Sequence, residues 1–125
     1  MLNSHNNKAY PLEKRTEIFG VMVIKFVKSI KLTFYNNNIL SQLLKSSTSI
    51  GANYHEANGA ESTKDFIHKI AIAKKEAKET VFWLKMLFEA NPEIIQSSKN
   101  IIQEANELIL IFAKIYSSSK LKIKK

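Results

Sequence analysis

From residue 13 onward, apolar side chains recur every three or four positions, the spacing that lines one face of an α-helix. Phe19, Met22, Val23, Phe26, Val27, Ile30 and Phe34 predict a first helix over about residues 13–34, with Lys25, Lys28 and Lys31 on its opposite side. Asn36, Asn37 and Asn38 interrupt the pattern and offer an N-cap to a second helix, whose inner face carries Leu40, Leu43, Leu44, Ser47, Ile50 and Tyr54. Gly59 is expected to end that helix in the left-handed conformation. Ser62 or Thr63 caps a third helix, with Asp65 in the first turn where the helix dipole favours an anion. There Phe66, Ile70, Ala73, Ala77, Thr80, Leu84 and Leu87 keep a four-three repeat, the signature of a bundle seam. Asn91-Pro92 closes it. Ile94, Ile95, Ile101, Ile102, Ala105, Leu108, Ile109, Phe112 and Ile115 form a fourth stripe, with residues 92–97 as a separate turn before the main helix.

Four stripes joined by short connections predict an all-α fold: a single-domain, antiparallel up-and-down four-helix bundle over residues 13–117. Residues 1–12 are expected to form a loose polar arm, and residues 118–125 a frayed, lysine-rich tail. Three glycines and two prolines are too few for the turns of a β-sandwich. The middle of the second helix is unusually small: Ser46, Ser47, Thr48, Ser49, Gly51 and Ala52. Either another helix passes close there, or the segment is a weak spot, since Gly costs about 1 kcal/mol against Ala in a helix interior.

Composition narrows the chemistry. With no cysteine, disulfides and thiolate metal sites are excluded. No apolar run approaches the roughly 20 residues that span a bilayer. The short run from Ile18 to Ile24 is followed by Lys25, Lys28 and Lys31, which fits an amphipathic helix and not an export signal, so a cytoplasmic protein without a membrane partner is expected. The net charge is +8, and all but one of the nineteen cations are lysines, Arg15 being the exception. A solvated surface and a nucleic-acid footprint both account for that charge. Lysine attracts polyanions as a point charge but lacks the bidentate fork of arginine.

Catalytic patterns are missing. His5, His55 and His68 are scattered, and Asp65-x-x-His68 has no second copy of the kind a di-iron bundle needs. No His-Glu-x-x-His, phosphate-binding glycine loop or Gly-x-Ser-x-Gly occurs, and Arg15 has no histidine near it in sequence. No enzyme, metal or cofactor is expected. Asn53 with Glu56, and Glu76 with Glu79 beside Lys75, share helical faces. If those faces meet, the five residues form a polar network that fixes helix register. Trp83, near Met86 and off the main seam, suits either contact with another subunit or filling of a helix edge.

The run from Ser46 to Ala57, the stretch from Ser62 to Phe66, and the segment from Ile72 to Thr80 with Trp83-Leu84 resemble the bacterial four-helix-bundle proteins encoded in intervening sequences of 23S ribosomal RNA genes. Residues 12–117 take part. Many of those proteins have Pro at the place of Gly51 and Arg near Lys45. The resemblance implies a homopentameric ring without an assigned catalytic residue. It also implies kinship with the accessory protein of diversity-generating retroelements, a basic pentamer that binds nucleic acid and a reverse transcriptase. The function expected is a non-enzymatic homo-oligomer that binds RNA or DNA without base specificity, with Lys25, Lys28, Lys31, Lys120, Lys122, Lys124 and Lys125 as phosphate contacts. The alternative is a scaffold for a protein partner.

Overall fold

The computed structural model describes residues 9–123, and among them all regular elements are helical. Helix α1 spans Leu12–Lys28, α2 Asn37–Asn58, α3 Thr63–Ala90 and α4 Lys99–Ile123, with a 3-10 turn at Pro92–Ile94. Each of α2, α3 and α4 packs against the helix before it, which gives the antiparallel bundle expected; the α1–α4 seam is the thinnest. The core is one cluster in which Phe19, Val23, Leu43, Ile50, Ile70, Ala73, Ala77, Leu84, Leu87, Ala105, Leu108 and Phe112 are fully buried. Tyr54 meets Phe112 edge-on, with ring centroids 5.6 Å apart.

The first helix is shorter than its periodicity predicts. Ser29 donates both its backbone N–H (3.1 Å) and its hydroxyl (2.6 Å) to the Phe26 carbonyl, which ends α1. Beyond it, Asn36 organises the connection. Its side-chain oxygen accepts from the Thr33 N–H at 2.8 Å, and its amide nitrogen donates to the Lys31 carbonyl and to Asn91 Oδ1, both at 3.0 Å. Such local side-chain bonds compete directly with helical ones. Asn36 is therefore buried and turned back toward α1, not used as a side-chain cap for α2, while Phe34 stands fully in solvent.

The small residues of α2 admit neighbours on both sides. Gly20 of α1 lies opposite Thr48, and a Cβ at Gly51 would sit 3.2 Å from Thr16 Oγ1. On the other side, Thr80 Oγ1 of α3 donates to Ser46 Oγ at 3.0 Å in a buried pair. Gly59 caps α2 at φ −101°, so the left-handed conformation expected there is not used; its N–H reaches the Glu56 carbonyl at 3.1 Å. On α3 the Ser62 cap accepts from the Asp65 N–H at 3.0 Å as predicted. Phe66 is only half-buried, and Ile67 takes the inward position instead.

Residues 92–98 form the separate turn that Pro92 predicts, with Ser98 buried and Ile95 exposed. Helix α4 then runs through Ser117–Ser119 to Ile123, past the boundary expected at residue 117. Serine lowers helix propensity only modestly. Of the expected arm and tail, residues 1–8, 124 and 125 lie outside the described residues.

Candidate nucleic-acid interface

Lysines at positions 74, 75 and 78 are three and four residues apart, which places them along one flank of α3. They border a groove between α3 and α4 whose other walls are Ala71, Glu79, Phe82 and Tyr116. Tyr116 anchors it. Lys74 Nζ lies 5.7 Å and Lys120 Nζ 5.3 Å from the centre of its ring, within the range of cation–π attraction. Lys120 follows Tyr116 by four residues, one turn on, so helical geometry alone brings it there. Lys120 also borders a second hollow with Lys64, Ile67 and Ile123. Five lysines thus follow the α3–α4 seam from Lys64 to Lys78, a stretch of about 21 Å at helical rise. The groove has ammonium groups at its rim and an apolar floor.

The lysines named from sequence fall in two places. Lys25 and Lys28 occupy the last turn of α1 and Lys31 the connection after it, all exposed. That end adjoins the C-terminus of α3, as the Asn36–Asn91 bond shows. Lys120 and Lys122, also exposed, sit in the last turn of α4, and Lys120 is beside the N-terminal part of α3. The two sets therefore occupy opposite ends of the bundle and make no single surface; Lys124 and Lys125 lie outside the described residues.

The polar network expected across α2 and α3 does not assemble as one unit. Asn53 donates to the Ser49 carbonyl of its own helix at 2.8 Å, and Glu56 pairs with Lys69 at 3.5 Å. Glu76 is half-buried, and that burial, with the negative charge of Glu79, raises its pKa against the opposing pull of Lys75 and Lys45. The reason is register. The α2 pair lies near that helix's C-terminus, facing the first turns of α3, whereas Glu76 is a turn or more beyond them.

A different charged cluster holds the molecule together. Arg15 donates from Nε and Nη2 to the two oxygens of Glu104 at 2.7 Å each, and from Nη2 to Glu107 at 2.9 Å. Arg15 and Glu104 are both buried, and the Glu104 hydrogen bond chiefly raises the arginine pKa further. This clasp spans the thin α1–α4 seam. Sequence carried a signal for it: Arg15 precedes Ile18 and Phe19 by three and four residues, which puts it on the apolar face. Likewise Glu104 lies three after Ile101 and four before Leu108.

Candidate catalytic groups stay dispersed. His55 is exposed and its Nδ1 lies 3.0 Å from Glu13, which also accepts from Asn58; His68 is exposed. Among the described residues no group of three or more His, Asp or Glu is placed to hold a metal ion, and no helix is long and apolar enough to cross a membrane. On the α2-facing side of the outer α3 surface, Tyr35, Ile39, Phe82, Trp83, Met86, Glu89 and Ala90 line a second, largely apolar groove. Half-buried Trp83 meets Phe82 edge-on at 4.9 Å, so the sequence-flagged tryptophan borders this groove.

The family profile described as 23S rRNA-intervening sequence protein matches residues 12–114. A crystal structure at 1.70 Å of a protein of unknown function, from the S23 ribosomal protein family of Bacteroides thetaiotaomicron, is similar in fold and sequence. The two are 30% identical with a TM-score of 0.73, over 85% of this chain and 98% of that one. No curated protein matches significantly.

Proposed function

We propose that this chain, which belongs to the 23S rRNA-intervening sequence protein family, is a non-enzymatic, self-associating cytoplasmic protein that binds the RNA or DNA backbone without base specificity. The observation that carries the proposal is the lysine-rimmed groove of Lys74, Lys75, Lys78 and Lys120 around Tyr116. Lysine ammonium groups at a groove rim contact phosphates as point charges and read no base edge. Binding of this kind releases counterions and so weakens steeply with salt. The exposed apolar groove at Tyr35, Ile39, Trp83 and Met86 supports contact between copies, and a ring of five is the assembly proposed.

Fluorescence anisotropy of labelled RNA and DNA across a salt series tests this. Exchanging Lys74, Lys75 and Lys78 together for Glu should abolish binding, whereas the same exchange at Lys25, Lys28 and Lys31 should leave most of it. Wild-type affinity weaker than high micromolar at low salt overturns the proposal. The apolar groove also favours a second reading, a scaffold that docks a protein partner. A stoichiometric partner recovered after nuclease treatment, with no oligonucleotide bound, would establish that instead. Light scattering measures the assembly directly.

A further inference from the structure

We infer that the groove between α3 and α4 takes single-stranded nucleic acid, with the exposed ring of Phe82 as a platform for an unpaired base. This rests on the nucleic-acid role proposed above and adds the state of the strand. A duplex presents mainly phosphate and sugar to a shallow groove, and rim lysines alone would satisfy it. The groove here offers more than a rim. Ala71, Tyr116 and Phe82 give it an apolar lining between the lysines. Apolar floor beneath a cationic rim matches a ligand with base faces on one side and phosphates on the other, the combination by which sequence-tolerant single-strand binders work.

Two aromatic residues divide the work. Tyr116 is half-buried and already engaged by Lys74 and Lys120, so it holds those ammonium groups in place over the groove. Phe82 is 50% exposed, and its edge-on contact with Trp83 restrains the ring before any ligand arrives. A pre-positioned ring loses little freedom on stacking. Lys78, one turn before Phe82, is placed to take the phosphate of the stacked nucleotide. A strand laid along the groove would then run from the Phe82 platform past Lys78, Lys75 and Lys74 to Lys120. Glu79, the one carboxylate on the groove wall, sits among these cations.

Three probes of equal strand length, roughly 16 nucleotides, separate the possibilities. They are fluorescein-labelled oligouridylate, the same backbone with abasic sites throughout, and an RNA duplex. The single strand should bind more tightly than the other two. Phe82→Ala should weaken the oligouridylate by roughly 5- to 150-fold, the range for losing one base–aromatic stack, and leave the abasic strand unchanged. Phe82→Trp should retain or improve binding. Equal affinity for strand and duplex, or equal effects of Phe82→Ala on the oligouridylate and abasic strands, overturns the inference but leaves the lysine-groove function standing. Failure of the wild type to bind any probe overturns both. Phe82 also borders the apolar groove, so the light-scattering mass of Phe82→Ala is part of the test. A changed mass assigns the ring to contact between copies and refutes the stacking role.

Discussion

Replacing Arg15 by Met removes the clasp between α1 and α4 and should be the most damaging single exchange on this fold. The guanidinium gives Glu104 two bonds of 2.7 Å, and Glu104 is 5% exposed, so water cannot substitute for it. Removing one partner of a buried ion pair costs about 3–5 kcal/mol, because the remaining charge keeps its desolvation penalty and loses the bidentate bonds that offset it. Urea unfolding at fixed protein concentration, which matters if copies associate, measures this. With a slope near 1.5 kcal/mol per molar urea, the midpoint should fall by about 2–3 M. The double exchange Arg15→Met with Glu104→Leu should regain most of the stability, since apolar residues of similar volume replace buried ion pairs at little cost. A cost below about 1 kcal/mol for Arg15→Met, or a double variant no more stable than the single, would refute the clasp.

Other exchanges test the packing and electrostatics separately. Gly20→Ala should stabilise by about 0.5–1 kcal/mol in the same urea assay, because its new Cβ meets Thr48 at an ordinary 3.9 Å and helix propensity decides the sign. Gly51→Leu should destabilise by about 2 kcal/mol or more, as even a Cβ there presses on Thr16 at 3.2 Å. Ser62→Ala should cost about 1 kcal/mol by removing the cap accepted from Asp65, with amide exchange accelerated in the first turn of α3. Glu76→Gln should raise the melting temperature at neutral pH and leave it unchanged in acid. Burial and Glu79 raise the native pKa of Glu76, so its contribution to stability is full below the ordinary carboxylate range and is lost as pH rises through the shifted value. An equal effect at both pH values would show that Glu76 acts through packing.

How far the sequence disclosed this molecule depends on whether a signal was local. Periodicity read within one helix was reliable: the seam from Ile70 to Leu87 is buried, and Ser62 caps where a serine before an acidic first turn should. Periodicity failed at Phe34, which is spaced correctly but stands in solvent because Asn36 drew the backbone away by bonding to Thr33, Lys31 and the distant Asn91, whereas Ile30 still packs against the core. No pattern inside the first helix contains that information. The lysines show the same division. Counting them gave the charge, yet only the packing of α4 on α3 brings Lys74 of one helix within cation–π range of the same tyrosine ring that Lys120 of the other approaches. The clasp lay between these extremes. Arg15 and Glu104 were each visible as charged residues on apolar faces, and in a folded chain two such residues of opposite sign have few places to go other than to one another. Charged residues out of phase with their helix are therefore the positions from which inter-helix contacts can be argued before coordinates exist, and here the only arginine among eighteen lysines marks such a position. A lysine could neutralise Glu104, but its compact ammonium lacks the planar fork that here meets both Glu104 oxygens from separate nitrogens while also reaching Glu107. By that reasoning Arg15→Lys should recover only part of the stability that Arg15→Met loses, and full recovery would mean that charge alone, without the fork, holds α1 to α4.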